Sequence, residues 1–395
     1  MKINPGFGLI TGTALLLTTL LPASLTKAQT GSAEDVRKAQ ELQALRATNI
    51  YESGQKPHYT IKFNLSGLPH YVPGPQLNGW LRLHGNNYLS DGKLGEFWQQ
   101  AFSKYQPGIR LSYYLPTSAV AFAALTYHEA DLVMGHKPGF YDLLAYQRVF
   151  NFDPTEITGV TGSYDVSGWE NSVAIVVNDK NPLEKISMAQ LDGIFGSERD
   201  GGWVGTTWHR EFARGPEKNI RFWGQLGLKG DWANKAINPH GFALRYNTST
   251  DFADRVLKGS DKWNERIRTY GNYKKDNGEF YIQSDQMAEA LGQDKYGIAF
   301  IRFRGDRAGM KRLAVAAADG TFVEHSIENV QNRTYPLGGQ VYFYATVKPG
   351  TAMDPIVKEF LRFVLSQEGQ AEVQRDGKYL PLTASDAKAQ LEKLN

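Results

Sequence analysis

From Trp80 onward the chain alternates short apolar runs with longer segments of helical period, and this alternation constrains the fold more than any other feature. "WLRLHG" reads as a strand ending in glycine. "SDGKLGEFWQQAFSKYQPG" then places Leu94, Phe97, Trp98, Ala101, Phe102 and Tyr105 on one buried helical face, stopped at Pro107 and Gly108. "IRLSYYL" is a strand, "SAVAFAALTYHEA" a helix and "DLVMG" a short buried strand. Strands joined through helices by short loops pair in parallel, so the expected class is α/β. "NSVAIVVN", "YGIAFIRF" and "QVYFYATV" continue as strands, and "SMAQLDGIF" opens a helix with Ser187 and Gln190 at capping-box spacing. "DPIVKEFLRFVLSQEGQAEVQRDG" reads as a terminal helical element, with Asp354 as N-cap, Pro355 at the first helical position and Gly377 past the end. No internal repeat or low-complexity tract interrupts the pattern. The Gly-rich, mixed-charge stretch "GSERDGGWVGTTWHREFARGPEKN" reads as a surface excursion.

The first residues obey different rules. Lys2 precedes an apolar run from about Gly8 to Leu21, and Thr26 and Ala28 stand at the −3 and −1 positions of a cleavage site. Residues 1–28 therefore read as a secretory signal peptide, with an uncleaved membrane anchor as the alternative. Residues 29–75 form an N-terminal extension with an amphipathic helix around Glu34–Ala47 and no assignable role. The chain contains no cysteine, which removes disulfides, thiolate metal sites and a cysteine-linked lipid anchor from consideration. Net charge is +3, of which two lysines fall in the leader, so the mature chain is near neutral. That balance argues against a nucleic-acid coat, and any positive site must be local.

Candidate binding residues cluster in loops that follow strands. In "GFALRYNTSTDFADRVL", Asn247, Thr248, Ser249 and Thr250 lie at or just before a helix N-terminus, where free N–H groups and the helix dipole attract an anion. Thr248 and Asp251 have capping-box spacing, and Arg245 could offer a planar fork to an oxyanion. The same residues also describe a capped helix with a surface arginine. "LHGNNYLSDG" supplies Asn86 and Asn87, "LPTSAVAF" supplies Thr117 and Ser118, and "LVMGHKPGF" supplies His136 and Lys137. Each is an ordinary polar loop by itself; together they mark the strand-end edge where open α/β sheets bind ligands. Signatures of zincins, α/β-hydrolases and P-loop proteins are absent, and no two of the eight histidines are spaced i, i+4. A hydrolase built on His84 and His136 stays open as an alternative. The eight tryptophans and twenty tyrosines suit core packing or stacking on a sugar.

The order of these loops resembles the phosphate-binding proteins of bacterial ABC importers over roughly residues 80–383. The helix "NPLEKISMAQLDGIFGSE", the strand "YGIAFIRF" and the ending "RTYPLGGQVYFYATVKPG…FLRFVLSQEGQAEVQRDGKYLPL" are similar to that family as well. The resemblance implies a two-lobed periplasmic-binding-protein-like fold, each lobe a central mostly parallel sheet flanked by helices, with two crossover strands as hinge. Lobe 1 would take 76–172 plus 335–395, and lobe 2 would take 173–334. It implies a periplasmic monomer that closes on phosphate or a similar oxyanion, uses no cofactor and delivers its cargo to a permease in the inner membrane. Ser118, Arg245 and Ser249 fall on the family's serine, arginine and serine. Asn247 stands in place of an aspartate, Thr250 and Asp251 in place of Gly-Thr, and His136-Lys137 in place of Ser-Asp. The family's aspartate accepts a hydrogen bond from protonated phosphate, which lysine cannot do. The resemblance thus implies a more positive site that favours a dianion, an organic phosphate or another oxyanion, unless Lys137 points away. A phosphate-ester hydrolase and a sensing protein without a transporter are the competing readings.

Overall fold

The computed structural model describes Lys56 and residues 58–85, 87–116, 118–166 and 172–394. The leader, the helix expected near residues 34–47, Asn86 and Thr117 lie outside the described residues. Two five-stranded sheets organise what is described. The first contains β1 (Gly79–Gly85), β2 (Ile109–Tyr114), β3 (Leu132–Gly135) and β4 (Thr155–Thr161). The second contains β5 (Val173–Asn178), β6 (Asn238–Phe242), β7 (Arg268–Tyr270), β8 (Gly297–Arg302) and β9 (Met310–Arg312). The chain then returns to the first sheet as β10 (Gln340–Ala345).

The spatial orders are β2-β1-β3-β10-β4 and β7-β6-β8-β5-β9. In the first sheet β1 runs parallel to β2 and β3, whereas β10 is antiparallel to β3 and β4. The second repeats this plan: β6 is parallel to β7 and β8, and β5 is antiparallel to β8 and β9. The antiparallel pairings come from the strands that enter from the other sheet, because no local helix turns them around. These two crossing segments are bonded to each other: Val173 N–H donates to the Leu337 carbonyl at 2.9 Å and Gly162 N–H to Gly339 at 2.8 Å. Tyr335 Oη adds a bond to the Val173 carbonyl at 2.9 Å.

Helices α1 (Leu94–Phe102), α2 (Ala121–Thr126) and α3 (Phe140–Phe150) accompany the first sheet. Helices α4 (Met188–Phe195), α5 (Asn247–Val256) and α6 (Gln283–Gln293) accompany the second. Ser187 and Gln190 form the capping box read from sequence. The terminal element divides at Leu365 into α7 (Pro355–Val364) and α8 (Gln367–Asp376), because Ser366 caps a new helix by accepting from Gly369 N–H. Gly377, at φ 67°, closes α8 in the left-handed region. α9 (Ala384–Glu392) follows.

Residues 58–75, for which the sequence offered no role, strap α7 and α8. Tyr71 Oη donates to Glu359 at 2.5 Å, Gly74 N–H to the same carboxylate at 2.7 Å, and Tyr71 N–H to Glu368 at 2.7 Å. Each sheet also uses a strand glycine to seat a phenylalanine of the neighbouring strand. Phe343 of β10 lies over Gly159 of β4, and Phe300 of β8 over Gly241 of β6; a Cβ at either glycine would come within 2.3 Å of the ring. Phe300 is stacked at 4.1 Å on Phe252 of α5, so Gly241 fixes the seat of the helix as well as the ring. Gly241→Ala and Gly159→Ala should each destabilise the fold by about 1–3 kcal/mol through overpacking, measured as a lower urea midpoint with unchanged slope.

Candidate functional site

The carboxyl ends of β1, β2 and β3 carry the loops of Asn87, Ser118 and His136, and the carboxyl end of β6 leads into α5. Asn87 is buried and its carbonyl accepts from Ser90 N–H and Oγ, which anchors a single helical turn at 88–91. Ser118 opens a short 3-10 turn that packs beside Gly135. His136 reaches the other sheet: Asn247 Nδ2 donates to His136 Nδ1 at 3.0 Å. This bond places the end of β3 against the first turn of α5. It requires an unprotonated Nδ1, hence the Nε2–H tautomer at neutral pH. Burial lowers the His136 pKa, with Arg302 acting in the same direction and Asp251 and Asp142 opposing.

α5 begins at Asn247, with Tyr246 as its N-cap and no side-chain cap bond, so the capping box expected from Thr248 and Asp251 does not form. Thr248 is buried and its hydroxyl instead accepts from Arg302 Nε at 2.7 Å. Ser249 is buried and donates backward to the Phe242 carbonyl at 2.8 Å, tying α5 to β6. Thr250 is exposed and donates to the Asn247 carbonyl at 2.8 Å. Arg245 is exposed, 5.2 Å above the Tyr246 ring, and lies in the space left by Gly271. The structure therefore brings His136 and Asn247 together directly, turns Ser249 and Thr250 into backbone partners, and holds Arg245 on an aromatic face at the rim.

Lys137 turns beside this contact, 5.8 Å from the Tyr342 ring, toward a cavity of about 660 Å³ between the sheets. Glu156 and Tyr342 line it from one side, and Asp251, Asp254 and Arg255 from the other. Asp254 is pushed up to about 6 by burial and by Asp251, against the pull of Lys137 and Arg255. Phe140 packs on Trp203 at 4.8 Å, Thr206 donates to Gln147 at 2.8 Å, and Arg255 Nη1 donates to the Gly338 carbonyl at 2.6 Å. These contacts also join elements of the two sheets.

Arg302 is the residue that sequence reasoning missed. The strand "YGIAFIRF" had been recognised, and a basic residue at its carboxyl end was the available signal. His84 packs against Tyr114 with ring centroids 5.3 Å apart rather than joining His136 in a catalytic pair. A Ser–His pair, Ser172 Oγ and His325 Nε2 at 2.7 Å, is buried at the crossover, and His325 Nδ1 has no hydrogen-bond partner. The His325 ring packs among Tyr164, Tyr335 and Phe303, with centroids 4.7, 4.8 and 5.1 Å away. Among the described residues no group of histidines and carboxylates is arranged to hold a metal ion, and no described helix is long and apolar enough to cross a membrane.

A two-sheet α/β chain with donors gathered at facing strand ends has the architecture of a binding protein, and the PBP superfamily domain matches residues 93–368. The chain belongs to that superfamily. It is 28% identical to the phosphate-binding protein PstS of Pseudomonas aeruginosa over 330 residues, covering 83% of this chain and 90% of the relative. It is 27% identical over 220 residues to protein SphX of Synechococcus elongatus, covering 54% of each. The solved structure of PstS from Borrelia burgdorferi covers 78% of this chain and 100% of its own, at 12% identity and a TM-score of 0.48.

The His136–Asn247 bond should depend on pH. Its acceptor nitrogen is lost on protonation, and because the folded-state pKa is depressed, the stabilisation is complete above about pH 6.5 and falls away as pH drops toward the lowered value. Asn247→Ala should flatten this part of the stability-versus-pH curve; an unchanged slope in thermal melts would show that the bond does not couple to folding.

Proposed function

We propose that this protein is an exported receptor that captures phosphate between two lobes and hands it to an ABC importer permease in the inner membrane. The lobes are residues 76–172 with 335–395, and residues 173–334, hinged at the two hydrogen-bonded crossing segments. The His136–Asn247 bond carries this reading, because it sets the strand ends of one lobe against a helix N-terminus of the other. The superfamily membership and the likeness to a phosphate-binding relative support phosphate as the cargo.

Thr248 and Arg302, with the first turn of α5, form the half of the site on the second lobe. Asn87, Ser118, His136 and Lys137 form the other half, and Arg245 joins from the rim on closure. Recognition rests on preorganised donors and fixed positive charge, with no covalent step. Hinge closure excludes water from the anion and presents a joined surface of both lobes to the permease. The receptor acts as a periplasmic monomer.

With His136-Lys137 at the strand end, the site offers no carboxylate at this position to accept a hydrogen bond from a protonated ligand. The dianion should bind better than the monoanion. Titration calorimetry should show affinity for phosphate increasing from about pH 6 to pH 8 as the ligand loses its proton, and Arg302→Ala should weaken binding by roughly tenfold to a hundredfold. Absence of heat at both pH values, or full affinity in both Arg302→Ala and Arg245→Ala, would overturn the assignment.

A further inference from the structure

Residues 196–219, read from sequence as a surface excursion, pack two arginines against a single buried acid of α4. Arg199 and Arg214 face each other across paired backbone bonds, Arg199 N–H to the Arg214 carbonyl at 2.9 Å and the reverse at 2.8 Å. Both are buried, 8% and 7% exposed. Asp192 of α4 is fully engaged by one of them: it accepts from Arg199 Nη1 at 2.7 Å and from Nη2 at 2.8 Å. Arg214 Nε stays 3.6 Å from the same carboxylate, and none of the three guanidinium nitrogens of Arg214 has a hydrogen-bond partner.

This is an unbalanced arrangement. The Arg199–Asp192 pair is neutral, which leaves Arg214 as a buried cation whose five N–H groups are unsatisfied. Burial pulls its pKa below the usual range, Asp192 and more weakly Glu198 oppose, and Arg199 and Arg221 add repulsion. Breaking or omitting the partner of a buried charge is strongly unfavourable, so such a side chain calls for an anion. Arg214 lines a cavity of about 540 Å³, which shares no lining residue with the cavity between the sheets.

We propose that this cavity is a second anion site, one that takes a small organic monocarboxylate. The charge of its lining sets the valence: Arg199, Arg214, Lys218 and Lys258 face Asp192, Glu211 and Glu217, leaving one positive charge in excess. A dianion would overshoot that balance in a lining that already holds two glutamates. The guanidinium fork matches a carboxylate in plane and spacing. Phe212 and Ile220 supply apolar surface for the body of the ligand, and Lys258 lies 5.7 Å from the Phe212 ring, at the rim. The volume falls in the range of roughly 300–1,000 Å³ that small-molecule sites occupy.

The test is calorimetric titration of the protein with sodium acetate and sodium benzoate in saturating inorganic phosphate, so that the interlobe cleft does not compete. Benzoate should bind, and more tightly than acetate because of the apolar lining. Arg214→Met should abolish the heat while far-UV circular dichroism stays native. Should that variant not fold, the surface variant Lys218→Gln/Lys258→Gln takes its place, with benzoate affinity expected to fall roughly tenfold. No heat from either carboxylate at millimolar concentration, benzoate binding unaltered in the variants, or displacement of benzoate by sulfate would each overturn the proposal.

Discussion

Parallel pairing of β1 with β2 and β3, and of β6 with β7 and β8, is the constraint on which everything else depends. Parallel strands end along one edge, so the loops that follow them converge without any long-range search. Each sheet is then completed by a strand from the far part of the chain, β10 in the first and β5 in the second. That exchange accounts for the antiparallel pairs, and it leaves two short segments crossing between the sheets. Their mutual hydrogen bonds make the crossings one structural unit rather than two independent tethers.

Charge is distributed along these edges by the same geometry. His136 projects from β3 toward the start of α5 and Lys137 turns aside toward Asp251 and Asp254, so neighbouring residues serve different surroundings. The two acids stand on one helical face at i, i+3 spacing, and their mutual repulsion together with burial is what raises Asp254. In the excursion beyond α4 the imbalance has the opposite sign, two guanidinium groups to one engaged carboxylate. Each imbalance is local, within a chain whose overall charge is close to neutral.

Much of the fold was legible from residues 80–377. Continuous apolar runs such as "VAIVVN" identified strands buried on both faces, and the Ser187–Gln190 box and Gly377 marked helix ends correctly. The division of the terminal helix at Ser366 was hidden, because apolar periodicity persists through Leu365 and only the cap bond to Gly369 reveals the break. The strap at residues 58–75 was also hidden: its carboxylate partners Glu359 and Glu368 are about three hundred positions away. At the site, the loops were legible and the directions of their side chains were not. Ser249 and Thr248 look alike in sequence, yet one hydroxyl turns to the Phe242 carbonyl and the other to Arg302.

Local pattern alone thus determined the α/β class, the position of most strands and helices, and the strand-end loops in which binding groups would be found. It could do so because hydrophobic period, caps and breakers act over a few residues. Tertiary structure decided which donors meet across the sheets, that Arg302 belongs with α5, that Arg245 rests on Tyr246, and that the Arg214 guanidinium is left without a hydrogen-bond partner. Those outcomes depend on distances between segments far apart in the chain, where a single carboxylate or carbonyl within reach decides whether a charge is satisfied.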